Sequence, residues 1–146
     1  MAKIRVLIVD DAVVIRRLLT DCLAGDPEIE VVGTASNGKL GLEKIPQVNP
    51  DLVTLDVEMP VMSGLETLAA IRKSHPRMPV IMFSTLTERG AATTLEALSL
   101  GARDYVTKPS NTGSVLASMQ RVREELIPKI KALCARPALA PRPGLA

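Results

Sequence analysis

The sequence predicts an α/β fold, a doubly wound parallel sheet of five strands with helices on both faces. Three observations carry this. Short apolar runs alternate strictly with segments whose apolar residues recur at helical spacing. The runs are continuous rather than alternating, as strands covered on both faces require. Polar residues gather where the runs stop: Asp10 and Asp11, Asp56, Ser84 and Thr85, and Lys108. In an open sheet of this kind, ligands bind at the carboxyl ends of the strands.

The elements follow in order. Ile4 to Val9 is apolar apart from Arg5 and reads as the first strand. Ala12 to Leu23 places Ile15, Leu18, Leu19 and Cys22 on one helical face, stopped at Gly25. Ile29 to Ala35 is a β-branched strand, and Ser36-Asn37-Gly38 is a turn that can also cap the next helix. That helix, about Lys39 to Gln47, contains Gly41 and Pro46. The Pro46 ring lacks a donor and opposes the carbonyl of Leu42, so the helix is expected to end early or kink. Leu52 to Leu55 forms the third strand and delivers Asp56, with Pro60 and Gly64 ending any simple continuation.

Leu65, Leu68, Ala69 and Ile71 mark the third helix, closed by His75-Pro76 and Pro79. Val80 to Phe83 is the fourth strand. After a loop through Arg89-Gly90, the residues Ala91, Leu95 and Leu98 define a fourth helix that Gly101 caps. Tyr105 to Thr107 is the fifth strand. The last helix carries Val115, Met119, Val122, Leu126, Ile130 and Leu133 on one stripe, with a kink expected at Pro128. This stripe is expected to be core over its first half, and its extension beyond Pro128 is left open between core and a partner contact. Strict alternation with short connections implies right-handed crossovers.

Composition narrows the function. With 146 residues, 47% of them hydrophobic, the chain suits one domain with a sizeable core. Eighteen basic against sixteen acidic residues give +2, which is too balanced to point to nucleic acid or an anionic membrane surface. The apolar N-terminal run is broken by Arg5 and ended by two acids, so it is neither signal peptide nor membrane span, and a cytoplasmic location is expected. Cys22 and Cys134 lack metal-ligand spacing and read as free thiols. From Ala135 the Pro/Ala-rich tail reads as an extended linker. Residues 1–131 are therefore expected to form the domain, and 132–146 a linker toward a further domain beyond Ala146.

Taken singly, the polar strand ends have plain readings: Asp10 and Asp11 as helix caps, Asp56 as a turn former, Ser84 as a strand-end hydroxyl, Lys108 as a solvated charge. Their convergence at one sheet edge points to chemistry. Three neighbouring carboxylates repel unless a cation neutralises them, and an incomplete oxygen set suits Mg²⁺, which keeps positions for water and phosphate. Lys108 supplies a point charge and Ser84 a hydroxyl for phosphate oxygens. Asp56 is left as the nucleophile toward a phosphoryl group.

Asp10-Asp11, Asp56 followed by Met59-Pro60 and Gly64, Ser84, and Lys108-Pro109 resemble the receiver domain of two-component response regulators, over about Lys3 to Lys131. More narrowly, Leu55–Glu66, Phe83–Thr87 and Thr94–Ser110 look like the receiver of chemotaxis protein-glutamate methylesterases. The resemblance implies a (βα)5, flavodoxin-like receiver fold. It implies that Asp56 accepts a phosphoryl group from a histidine kinase, and that Asp11, Asp56 and the Glu58 carbonyl bind Mg²⁺, with Asp10 acting through outer-sphere water. Lys108 is then the phosphate partner, Ser84 and Tyr105 form a switch, and the Lys108–Pro109 peptide is cis. An acidic Glu58 side chain is expected to tune how long the phosphoryl group survives.

The resemblance also implies a methylesterase output domain acting on chemoreceptors. His75, the one histidine, lies at the sheet edge opposite Asp56, so no Ser-His-Asp set forms at this site. Three other classes compete with this one. A flavin carrier shares the fold, but acids after the first strand repel phosphate and aromatic residues are few. A phosphatase using Asp56 as nucleophile and Glu58 as general acid/base is closer. A receiver signalling alone by protein–protein binding is the strongest alternative.

Overall fold

A computed structural model describes residues 3–85, 88–109 and 114–134; the side chain of Val115 and the tail from Ala135 lie outside this set. Five strands alternate with five helices: β1 (Ile4–Val9), α1 (Val13–Ala24), β2 (Ile29–Ala35), α2 (Gly38–Val48), β3 (Leu52–Asp56), α3 (Gly64–Ser74), β4 (Val80–Ser84), α4 (Glu88–Ser99), β5 (Asp104–Thr107) and α5 (Val115–Leu133). All pairings are parallel, in the order β2-β1-β3-β4-β5. The chain winds outward from β1 in both directions, so the strand order reverses between β1 and β3, where an open α/β sheet forms its ligand crevice.

Two apolar layers sandwich the sheet. On one face Leu19, Cys22 and Leu23 of α1 and Val122, Leu126 and Ile130 of α5 pack on Ile4, Val6, Ile8 and Phe83. On the other, Ile45, Leu68, Ile71 and Ala97 cover Leu7, Val9, Val53, Leu55 and Met82. Cys22 is a buried free thiol. No helix among the described residues is long and apolar enough to cross a membrane.

The structure departs from the sequence expectations at several helices. Pro46 does not end α2, which runs on to Val48. Asn49 closes it in the left-handed conformation, and the Arg5 guanidinium donates to the carbonyls of Val48 at 2.6 Å and Asn49 at 3.3 Å. Arg5, the one interruption of the first strand, thus satisfies helix-end carbonyls. Gly41 is not a weakness, because a Cβ there would come within 2.9 Å of Val9; its absence lets α2 lie against β1. Asn37 caps the helix as expected, accepting from the Leu40 N–H at 2.9 Å.

In α3 and α4 the buried faces differ from those expected. Thr67, not Ala69, is buried in α3. In α4 the buried residues are Gly90, Thr94 and Ala97, whereas Ala91 is exposed and Leu95 is 67% exposed. That helix starts at Glu88, so Arg89 and Gly90 belong to it and not to a loop. The described residues of the expected α5 stripe do face the core: Val122, Leu126 and Ile130 are buried and Met119 and Leu133 pack against them. Leu116 in its first turn is exposed, while Ile130, beyond Pro128, is fully buried and Leu133 and Cys134 pack on the same core. The extension packs on the core, and α5 runs to Leu133. The Lys108–Pro109 peptide is trans.

Candidate functional site

The site is assembled from strand ends. β1 delivers Asp10 and Asp11, and β3, its neighbour, delivers Asp56. Between β3 and α3 the chain doubles back: the Gly64 N–H donates to the Val57 carbonyl at 2.9 Å, and a Cβ at Gly64 would collide with the backbone carbonyls of Asp56 and Val57. Val61 in this loop has φ 70°, in the left-handed region, bridged by a 2.6 Å bond from Met62 N–H to the Pro60 carbonyl. A capping box then starts α3, Ser63 bonding the Glu66 N–H and the Glu66 carboxylate accepting from the Ser63 N–H. The spacing Ser63-Gly-Leu-Glu66 displays that cap in the sequence.

Asp10 and Asp56 are buried and Asp11 is exposed. One carboxylate oxygen from each lies within 4.8 Å of the others. Lys108, whose side chain is 14% exposed, reaches Asp56 Oδ1 at 3.0 Å and Asp10 Oδ2 at 3.3 Å. Asp56 Oδ1 also accepts from the Glu58 N–H at 3.2 Å, and Asp10 Oδ1 from the Ala12 N–H at 2.9 Å. The second oxygens remain orphaned: among the described residues no hydrogen-bond donor reaches Asp56 Oδ2, and Lys108 faces Asp10 Oδ2 at ion-pair distance without hydrogen-bond geometry.

Burial, then the charge of Asp10, pushes the Asp56 carboxyl up to about 7 despite Lys108. Asp10 is raised by burial, against the pull of its backbone bond and Lys108. Lys108 is raised because the two carboxylates outweigh its own desolvation. One lysine therefore does not neutralise the set. The buried orphan oxygens and three converging carboxylates fit a hard divalent cation.

Ser84 is buried at the end of β4, one residue past Phe83, the register partner of Asp56. Tyr105 is in register with Met82, two residues before Ser84, so strand alternation places Ser84 and Tyr105 on one side of the sheet. The tyrosine ring points outward, 44% exposed, with Lys129 Nζ 5.2 Å from its centroid. That lysine also bonds the Tyr105 carbonyl at 2.6 Å and Asp104 at 3.2 Å. His75 caps the far end of α3 beside Pro50 and Asp51, away from the acids. An element not anticipated is Arg89, whose Nε lies 3.3 Å from the Glu58 carboxylate.

The profile of the response regulator receiver domain matches residues 6–120. The chain belongs to this family. Among curated relatives, the receiver is 59% identical over 144 residues to a protein-glutamate methylesterase/protein-glutamine glutaminase of Nocardioides sp., covering 99% of this chain and 39% of that protein. The enzyme of the same name from Trichodesmium erythraeum is 55% identical over 136 residues, covering 93% of this chain and 39% of that protein. Among solved structures, the response regulator domain of Thermotoga maritima CheB superposes with a TM-score of 0.80 at 42% identity, covering 92% of this chain and 98% of that one. The receiver thus spans about two-fifths of the length of these curated relatives.

Proposed function

We propose that this chain is the phosphoacceptor module of a cytoplasmic chemotaxis response regulator. Asp56 accepts a phosphoryl group from a histidine kinase, and its state regulates an attached output of the kind its relatives' names describe, a protein-glutamate methylesterase. The carrying observation is Asp56 itself, a buried carboxylate with one oxygen tied to Lys108 and Glu58 N–H and the other without a hydrogen-bond partner among the described residues. That free oxygen attacks phosphorus. The bond from phosphorus to the donor's nitrogen or acyl oxygen breaks, and the donor keeps the electron pair.

Lys108 pairs with a phosphoryl oxygen as the charge on Asp56 becomes shared, and the Ser84 hydroxyl donates to another. Asp11, Asp56 and the Glu58 carbonyl would hold Mg²⁺, with the Asp10 carboxylate supporting the site from beside them. When bound, Mg²⁺ would supply charge neutralisation for these carboxylates and for the phosphoryl oxygens. Movement of Ser84 toward the new phosphate opens space for the outward Tyr105 ring, giving a two-state readout. The chain catalyses only its own phosphorylation and dephosphorylation. Residues 135–146 serve as linker to the output, a reading supported by the length of the relatives beyond the matched stretch.

The test is intact-mass spectrometry with Mg²⁺ and acetyl phosphate. The wild-type chain gains one phosphoryl group and Asp56→Asn gains none. Turnover of phosphomonoesters without an adduct, or the absence of both, overturns the assignment.

A further inference from the structure

A cleft of about 490 Å³ lies beside Asp56, walled by its chain neighbours Val57 and Glu58 and by Asp11, and runs to the first turns of α4, with Ser63, Arg89 and Thr93 among its other walls. Its electrostatics pose a problem for the proposed reaction. A phosphoryl donor is an anion, yet it must pass the exposed acids Asp11 and Glu58 to reach the buried pair Asp10 and Asp56. Lys108 is 14% exposed and engaged with both buried carboxylates. Arg89 is the one cation among the cleft's described walls.

We propose that Arg89 is the residue that admits the anionic phosphoryl donor: Glu58 holds its guanidinium over the cleft, where it cancels the Glu58 charge and offers a fork to the donor's phosphoryl oxygens. This rests on Asp56 as acceptor and adds a specificity-determining residue to that reaction. Three properties suit Arg89 to the role. Its side chain is 87% exposed, so it can change partners without moving the fold. Exposed ion pairs contribute about 0–1 kcal/mol, so opening this one costs little. A guanidinium also binds phosphate in bidentate fashion, which a compact ammonium does not. Because the Glu58 N–H bonds the nucleophile directly, the residue that positions Arg89 is also anchored to Asp56.

The experiment measures the initial rate of adduct formation on the full chain with Mg²⁺ against acetyl phosphate concentration, at low and high salt. Arg89→Ala is expected to raise the apparent KM roughly 3–10-fold while the maximal rate stays within about twofold, and the gap closes as salt screens the cleft. Removing the orphaned acid in Arg89→Ala/Glu58→Gln recovers most of the loss, and Arg89→Lys recovers part of it. A thermal melt within about 2 °C of wild type, as for other exposed pairs, separates this from unfolding. An unchanged KM in Arg89→Ala, or a loss confined to the maximal rate and indifferent to salt, overturns the proposal while leaving Asp56 as acceptor. Failure of the wild type to form any adduct removes both.

Discussion

At Asp56, burial and ionisation oppose each other, and the pH dependence of stability follows. Its carboxyl is raised from 3.8 in the unfolded chain to about 7 in the fold, so the native state holds the proton more tightly. The stabilisation is therefore fully present below the unfolded value and is lost as pH rises through about 7. Asp10 is shifted the same way, and metal-free protein should lose stability from pH 4 toward pH 8 as both carboxylates ionise. Replacing Asp56 by Asn removes one of these charges. At about 1.36 kcal/mol per pKa unit, less the loss of the Lys108 partner, the gain at pH 8 is on the order of 2 kcal/mol. Denaturant unfolding without divalent ions should show that gain at pH 8 and its disappearance near pH 4. A gain of equal size at both pH values rules out ionisation as its source.

The strands were the most legible elements because burial on both faces leaves an apolar run that polar residues punctuate sharply. Ile4–Val9 and Ile29–Ala35 have the bounds that hydropathy predicts. Those same punctuating residues, Asp10, Asp56, Ser84 and Lys108, made the site visible before any geometry. Helix faces were less legible where a hydroxyl hides its polarity. Thr67 donates to the Ser63 carbonyl at 2.8 Å and Thr94 to the Gly90 carbonyl at 2.7 Å, so each is buried at little cost, while counting apolar residues favoured Ala69 and Leu95. The Glu58–Arg89 pair was illegible because its partners lie on different elements with no shared period. Thr54 in β3 shows the opposite case: it is buried, in register with Ile8 and Ile81, and its hydroxyl has no partner among the described residues. Thr54→Val keeps the branched shape and removes the orphan, so stability should rise by about 1 kcal/mol, raising Tm by a few degrees. A lower urea midpoint would show instead that the hydroxyl holds a bound water.

At the scale of the molecule, the two layers of the sandwich are closed by different means, and this determines where the domain ends. The α2–α3–α4 layer is tied through Arg72, which donates to the carbonyls of Gly101 and His75 and joins the end of α3 to the turn before β5. The α1–α5 layer instead depends on the second half of α5, where Leu126 and Ile130 are fully buried and Leu133 and Cys134 pack beside them. Lys131 adds ion pairs to Asp26 at 3.0 Å and Glu28 at 2.8 Å across the α1–β2 turn. Pro128 lies on the exposed side of this helix, so the kink expected there did not remove the residues after it from the core. Two truncations separate a linker from a structural end. A chain stopped after Cys134 should unfold within about 1 kcal/mol of the full-length chain, since every described core contact is kept. A chain stopped after Ile127 loses Ile130 and Leu133 together, and burial losses of about 2–5 kcal/mol for one such side chain would consume much of a small domain's stability. If the shorter chain melts with the longer one, the extension beyond Pro128 is dispensable and its packing on α1 contributes nothing. If removal of 135–146 alone destabilises the fold, those residues belong to the domain, and the linker assignment falls.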